Sequence, residues 1–248
     1  MSVRTDIQSS PQSAGKWVVL TKGLLACGAF GPTLYVIEFL IEGATRPYYN
    51  PWHQWISHLS LGDQGWMNSL GLILCGVFVL CFAIGLRLVL PSGSGSLWGP
   101  LLTTCFALGL ILAGIFVIDP GYGYPPGVLA SYSLHGMIHN IGGTFGVFAS
   151  LIALCFVMAK RFARDPRWKN WARYSWWTAI VALLAFLACS VLATLDQANV
   201  LPGAPSGLCE RIAFISTSLW MVLLALHLIR QEVNPSAKLL SPAEGVVK

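Results

Sequence analysis

The sequence predicts an all-α integral membrane protein: a bundle of six transmembrane helices with both termini in the cytoplasm. The first reason is composition, because 55% of the residues are hydrophobic, only 10% are charged and the mean hydropathy is +0.67. These values lie outside the usual balance of soluble globular domains. The other two reasons are the length of the apolar runs and the distribution of Lys and Arg among the segments between them.

The apolar runs match the thickness of a bilayer, since about 20 helical residues cross a hydrocarbon core of roughly 30 Å. They lack the strict alternation of apolar and polar residues that marks barrel strands, which favours helices. We therefore predict one membrane domain over residues 17–230, with cytoplasmic tails over residues 1–16 and 231–248. The six predicted spans are Trp17–Ile41, Trp66–Leu90, Leu97–Ile118, Leu134–Ala159, Trp176–Leu195 and Leu208–Ile229.

The first apolar run is predicted to remain attached as a span. The residues before it are polar and include Arg4 and Lys16. The run itself is too long for the core of a signal peptide, and no obvious cleavage site accompanies it.

The positive-inside rule sets the predicted orientation. The segment between the fourth and fifth spans carries Lys160, Arg161, Arg164, Arg167, Lys169 and Arg173. If this segment is cytoplasmic, only Arg46 and Arg211 of the 15 Lys and Arg residues face outward. The net charge of +5 then results from the excess of Lys and Arg in the cytoplasmic segments. It indicates a lipid bilayer as the main partner and gives no reason to expect nucleic acid.

Most of the chemically interesting side chains fall on the predicted outer side. The first outer segment reads RPYYNPWHQWISHLSLGDQGW and carries aromatic residues at regular intervals. It predicts a short helix along the membrane surface, with Trp52, Trp55, Ile56 and Leu59 as its buried face. Ser57 and His58 would then point toward the mouth of the bundle. The alternative is an interfacial cap whose histidines are solvated.

The second outer segment, DPGYGYPPGVLASYS, begins with Asp119 directly after an apolar run. Asp-Pro-Gly is turn chemistry, so Asp119 could simply end the third span. A carboxylate at this depth could also orient a nearby imidazole for metal or proton chemistry.

His135 and His139 lie four residues apart at the start of the fourth span, which places both imidazoles on one helix face. Ionisable residues inside a span are candidates for function, although histidines also form hydrogen bonds between helices. Gly142, Gly143 and Gly146 follow below them, and small residues at helical spacing predict close packing against a neighbouring helix.

Two carboxylates and one arginine complete the set of outer polar groups. Glu38 lies about a turn inside the first span, above Pro32, and requires a proton, contact with water or a cation such as Arg211. Glu210 and Arg211 open the last span and could form a purely structural pair.

The residues WISHLSLGDQGWMNSLGLILCG, Asp119, the histidines of the fourth span and LCERIAF resemble the bacterial and archaeal membrane family called domain of unknown function 998. The resemblance covers residues 20–230 and matches the family at Ser57, Asp119, His139 and Arg211. It implies six spans and a prokaryotic cytoplasmic membrane, and it implies no established reaction.

A weaker similarity is to the superfamily of alkaline ceramidases and adiponectin receptors, which are zinc-dependent membrane hydrolases. That superfamily has seven spans with its His-xxx-His pair in the last one, whereas this sequence has six with the pair in the fourth. The similarity implies a zinc ion held by His58, His135 and His139, which would activate a water for attack on an amide or ester.

Three functions follow as alternatives. In the first, an outward polar vestibule binds a lipid-like ligand or a membrane partner through Ser57, Trp55, Arg211 and Glu210. The second is the zinc-dependent hydrolase acting on a lipid amide or ester. The third is a small proton-coupled transporter. Asp119, His139 and Glu38 are the predicted catalytic or proton-carrying groups.

Overall fold

The computed structural model describes residues 11–90 and 95–233, and these form an all-helical structure. Six of the helices are long and apolar enough to cross a membrane, which confirms the predicted fold class. Most of both predicted tails, including Arg4, Lys238 and Lys248, lies outside the described residues. The long helices are α1 (Pro11–Thr45), α2 (Gly65–Val89), α3 (Trp98–Ile115), α4 (Leu134–Phe162), α5 (Lys169–Gln197) and α6 (Ser206–Val233).

The helices differ from the predicted spans mainly at their ends. The helix α5 begins at Lys169, seven residues before the predicted start at Trp176, so part of the basic segment is helical. The helix α3 ends at Ile115, three residues before the predicted end at Ile118. The apolar pattern of the sequence indicates which residues lie in the hydrocarbon core of the membrane. A helix can begin before that core or end inside it, so the ends of the helices differ from the ends of the apolar runs.

The six helices are arranged in a ring. Each packs mainly on its neighbours in the chain, and α1 also packs on α6. The core contains large side chains with almost no exposed surface, and glycines let the helices approach closely. A Cβ atom on Gly28 would lie 2.4 Å from the Phe82 ring, and one on Gly76 would lie 2.7 Å from the Ala107 carbonyl oxygen. The largest enclosed side chains are Trp220, Phe39, Phe82 and Phe106.

The helix α4 has an irregular middle. Its first part, Leu134–Ile141, and its last part, Ser150–Phe162, are α-helical, and Gly142–Ala149 between them is a π-helix. Gly146 lies against Gly109 of α3, where a Cβ would come within 2.5 Å of the Gly109 Cα. The predicted small-residue packing is therefore confirmed at Gly146, with Gly142 close to Leu112 as well. It is wrong for Gly143, because no other described residue outside the adjacent backbone of its own helix lies within 4 Å of its Cβ position.

The two halves of α4 have different neighbours. Residues 150–162 pack against both α3 and α5, whereas residues 134–149 pack chiefly against α3. The outer half of α4 consequently leaves one face uncovered by the rest of the described chain.

Candidate functional site

The first outer segment folds into the outer end of the bundle. It contains a short 3₁₀ helix, Ile56–Ser60, in which Ile56, His58 and Leu59 are buried. The prediction of a buried face is confirmed for Ile56 and Leu59. It is wrong for Trp52, whose side chain is 61% exposed. The alternative of a solvated histidine is wrong for His58, which is only 1% exposed because the segment is covered by α6 and by the second outer segment.

Arg211 and Glu210 of α6 hold this segment in place. The Arg211 guanidinium donates to the backbone oxygens of Gln54 and Gly207 and to the Tyr49 hydroxyl. The Glu210 carboxylate accepts a hydrogen bond of 2.6 Å from the Ile56 backbone N–H. These two predicted ligand-binding residues therefore act on the protein's own backbone.

Trp55 and Ser57 have different surroundings. The indole N–H of Trp55 donates to the Ser206 hydroxyl at 3.2 Å, and its ring packs on Tyr122 and His58. Ser57 is half-buried. Trp55 is thus a structural contact between the first outer segment and α6.

Glu38 lies between α1 and α2 and is separate from the outer histidines. Its carboxylate would come within 2.9 Å of a Cβ on Gly71. Neither oxygen forms a hydrogen bond with the described residues, and both are enclosed. The suggested pairing with Arg211 is not present, because Arg211 bonds to Tyr49, Gln54 and Gly207. Glu42, one turn above, forms an ion pair of 3.0 Å with Arg46.

Two groups that the sequence analysis did not select also tie the outer segments together. His53 lies 2.6 Å from the Asp196 carboxylate at the end of α5. Tyr122 places its ring 5.2–5.5 Å from those of His53, Trp55 and His58, and its hydroxyl accepts a hydrogen bond from Gln197. Both aromatic partners occur in irregular segments, where no periodic pattern indicates which rings will meet.

The hydrogen bonds of His58 assign its tautomer. The backbone N–H of Trp55 donates to His58 Nδ1 at 3.1 Å, so Nδ1 carries the lone pair. Burial lowers the pKa of His58 to about 3, with a smaller contribution from the nearby His139 imidazole. The ring is therefore neutral at physiological pH, and its proton is on Nε2.

His139 has the opposite arrangement. Its Nδ1 lies 3.0 Å from the Ala113 carbonyl oxygen and 2.8 Å from that of Phe116. Carbonyl oxygens only accept hydrogen bonds, so Nδ1 carries the proton and Nε2 of the neutral ring is free to accept. His135, one turn earlier, is exposed and packs its ring on Phe116.

His58, His135 and His139, the histidines predicted as zinc ligands, do not form a metal-binding group. Among residues 11–90 and 95–233 there is no group of three or more His, Cys, Asp and Glu side chains that could hold a metal ion. The tautomer of His58 adds a chemical reason, since a zinc ligand needs a bare nitrogen, whereas Nδ1 of His58 already accepts from Trp55 and Nε2 carries the proton. The residues present do not fit a three-histidine zinc site.

Asp119 fastens the start of α4. Its carboxylate accepts from the backbone N–H of Ser133 at 2.7 Å and from the Ser133 hydroxyl at 2.5 Å. The Ser133 hydroxyl in turn accepts from the N–H of Gly136 and caps the helix. Asp119 thus does more than end a span, because it orients a helix terminus, and within the described part of the chain it makes no hydrogen bond to an imidazole.

A groove runs along the uncovered face of α4, starting at Asp119. It has a volume of about 530 Å³. Its outer end is polar and its deeper part is mainly apolar, with Asn140 and Thr144 among the apolar side chains. The lining residues are Asp119, Tyr132, Ser133, Leu134, Met137, Asn140, Ile141, Thr144 and Phe145.

Comparison with known proteins agrees with this architecture. A family model described as "Protein of unknown function (DUF998)" matches residues 29–227. The chain belongs to this family. The match confirms the main resemblance inferred from the sequence and extends through all six helices. No curated protein and no solved structure matches the chain, so the weaker similarity to the ceramidase superfamily has no support from these comparisons.

The DUF998 match includes both the groove and the pair of buried histidines. Family membership describes a multi-pass membrane protein and assigns no activity, ligand or partner. The functional argument therefore depends on the geometry of the outer end.

Proposed function

We propose that this DUF998 protein binds a membrane lipid with an amine headgroup in the groove along the outer half of α4. The change in polarity along the groove carries the proposal. One end of the groove is formed by Asp119, Tyr132 and Ser133. Phe145 lies twelve residues after Ser133 along α4, which is about 18 Å at a rise of about 1.5 Å per helical residue. A lipid has the same order, with a polar headgroup at the interface and an acyl chain below it.

The size and the lining of the groove suit such a ligand. Its volume falls within the range of roughly 300–1,000 Å³ that is typical of small-molecule sites. The apolar side chains of Leu134, Met137, Ile141 and Phe145 are each more than half exposed and form a stripe for an acyl chain.

Asn140 and Thr144 supply polar contacts within the stripe. Neither side chain makes a hydrogen bond with the described residues, and both are exposed on the face that α4 leaves uncovered. An unpaired amide or hydroxyl in an apolar medium costs free energy. The ester groups of a lipid would provide the missing partners.

The charge of the groove selects the headgroup. Asp119 is the one charged residue in the lining, which contains no Lys or Arg. Its two oxygens accept hydrogen bonds from Ser133 and retain further lone pairs. A headgroup ammonium would be attracted to this carboxylate, whereas an anionic headgroup would be repelled.

The test measures thermal unfolding of the purified protein in detergent with two short-chain lipids of equal chain length, phosphatidylethanolamine and phosphatidylglycerol. A ligand that binds only the folded state raises the unfolding temperature. We expect a larger increase with phosphatidylethanolamine, and we expect Asp119→Asn to remove the difference. Equal stabilisation of the unchanged protein by the two lipids would contradict the proposal.

A second variant tests the groove without altering the contact between Asp119 and Ser133. Ile141→Trp would fill the groove at a side chain that is 52% exposed, so we expect stabilisation by either lipid to be lost. Leu184→Trp, at a 61% exposed position on α5, is the matched control and should retain it. If both variants lost the stabilisation by lipid to the same extent, the lipid would not bind in the groove.

A further inference from the structure

Glu38 carries a carboxyl group that neither the outer contacts nor the lipid groove uses. It lies in α1 where this helix packs on α2, and a Cβ on Gly71 would lie 2.9 Å from a carboxylate oxygen of Glu38 and 3.1 Å from its carboxyl carbon. The glycine therefore leaves room for the carboxyl group between the two helices. The residues that line the groove come from α4 and the segment before it, so Glu38 is separate from the proposed lipid site.

The carboxyl group of Glu38 has no hydrogen-bond partner among residues 11–90 and 95–233, and both of its oxygens are enclosed. A polar pair on the same two helices is already satisfied, because the Tyr35 hydroxyl donates to the Asn68 side-chain oxygen at 3.1 Å. In an apolar place, an ionised carboxylate without hydrogen bonds or a cation in contact costs far more free energy than a neutral carboxylic acid. The surroundings therefore favour a protonated Glu38.

The charged groups near Glu38 lie toward the outer end of α1. Glu42 is one helical turn above it and Arg46 is one turn further, and these two form an ion pair of 3.0 Å. Both act electrostatically on the Glu38 carboxyl group, with opposite signs. Because Arg46 is paired with Glu42, it leaves Glu38 without a cation of its own.

The other titratable neighbours of Glu38 supply no cation. Tyr35 on α1 and Cys75 on α2 interact with it and are 3% and 2% exposed. A phenol and a thiol are ordinarily neutral at physiological pH. From α6, Glu210 acts on Tyr35 and accepts its hydrogen bond from the outer segment. A proton is consequently the cation that fits Glu38.

The ion pair above Glu38 connects it with the surface at the outer end of the bundle. Arg46 donates to the backbone oxygen of Gln64 at 3.3 Å, and Gln64 is exposed. Below Glu38, the same two helices meet in a tight apolar contact, where a Cβ on Gly31 would lie 2.6 Å from the Phe78 side chain. Water therefore approaches Glu38 more easily from the outer end.

We propose that Glu38 is a proton-binding site that exchanges its proton with water at the outer end of the bundle. The bound proton lets the carboxyl group remain between α1 and α2. When the proton leaves, the carboxylate must gain contact with water or with Arg46, and the packing of α1 on Gly71 loosens. Proton binding from the outer side is thus coupled to the contact between the first two helices.

Infrared spectroscopy of the full chain in lipid vesicles tests for the bound proton, because a protonated carboxyl group absorbs separately from an ionised one. We expect a protonated-carboxyl band at neutral pH, part of which is lost in Glu38→Gln, a variant that keeps the shape of the side chain. Asp63→Asn is the matched control, since Asp63 is exposed in the first outer segment, and it should keep the whole band. The same band in Glu38→Gln and the unchanged protein would overturn the proposal.

The part of the band that belongs to Glu38 also shows from which side the proton comes. The protein is placed in vesicles with a single orientation, and the pH is raised on one face while the other face is buffered at neutral pH. We expect this part to decrease only when the face with the first outer segment is made alkaline. If it follows the opposite face, or neither face, exchange with outer water is overturned.

Glu42→Gln tests the electrostatic link to the outer ion pair. It removes a negative charge above Glu38 and leaves Arg46 held by its hydrogen bonds to the backbone oxygens of Leu61 and Gln64. Arg46 then attracts the Glu38 carboxylate without opposition, so we expect less of the protonated form at the same pH. An unchanged Glu38 band in this variant would contradict a route through the ion pair.

Discussion

Glu210 in α6 accepts a hydrogen bond of 2.6 Å from the backbone N–H of Ile56, which joins the last helix to the first outer segment. Both residues are buried, so water cannot replace the bond. This contact fixes the start of the 3₁₀ helix that carries His58. The outer end of the bundle therefore depends on a residue 154 positions away in the chain.

We expect Glu210→Ala to destabilise the protein because it leaves the buried N–H of Ile56 unpaired. Hydrogen bonds to charged groups contribute about 1.5–3 kcal/mol. The unfolding temperature in detergent should fall clearly, and Glu210→Gln, which retains an acceptor oxygen, should lower it less. Equal effects of the two substitutions would show that the charge, not the hydrogen bond, is what matters at this position.

Because Gly146 lies so close to Gly109, we expect the stability of the protein to depend strongly on the size of the side chain at position 146. A Cβ on Gly146 would lie 2.5 Å from a backbone atom, which cannot move aside as a flexible side chain can. We expect Gly146→Ala to separate α3 from α4 and to cost about 1–3 kcal/mol of stability, as overpacking does. Thermal unfolding measures this loss.

Gly143→Ala is the matched control, because among the described residues its Cβ would meet no neighbouring helix or side chain within 4 Å. It should leave the unfolding temperature unchanged or raise it slightly, since alanine is the better helix former. A loss as large as that of Gly146→Ala would mean that glycine is needed for backbone flexibility in the π-helix.

The low pKa of the buried His58 predicts that the folded protein loses stability in acid. Burial lowers its pKa to about 3 in the folded protein, compared with about 6.5 in an unfolded chain. Below pH 6.5 the unfolded state binds a proton that the folded state does not, so stability is complete above that pH and falls as the pH decreases toward 3. The expected slope is about 1.4 kcal/mol per pH unit.

Unfolding temperatures between pH 7 and pH 4 measure this effect. The control is His58→Asn, which can still accept the hydrogen bond from Trp55 but cannot titrate, and its stability should depend less on pH. If the variant and the unchanged protein show the same dependence, the acid sensitivity has another source.

The predicted orientation places the basic segment before α5 in the cytoplasm and the turn after α5 outside. Arg164 and Val200 are exposed at these two ends. We expect a membrane-impermeant maleimide to label Val200→Cys in intact cells and Arg164→Cys only after the membrane is opened. The reverse pattern would invert the topology, and the unsubstituted chain controls for its native cysteines.

The sequence by itself determined the number of helices, their approximate limits and the family, because roughly 20 consecutive apolar residues leave no other structure in a bilayer. It also indicated the close packing at Gly146, since small residues at helical spacing permit it. Both conclusions depend on interactions between residues that are near one another in the chain or on the surrounding lipid.

Only the tertiary structure decided the roles of the outer polar residues. The sequence grouped Glu38, Asp119, His58 and His139 because all are predicted to lie at or near the outer side of the bundle. The fold separates Glu38 from the others and uses Asp119 to fasten α4. It also sets the two histidines in opposite tautomers. The depth of a residue in the membrane follows from the hydropathy of the segment around it. The direction of its side chain follows from the groups with which it forms hydrogen bonds, and these groups come from distant parts of the chain.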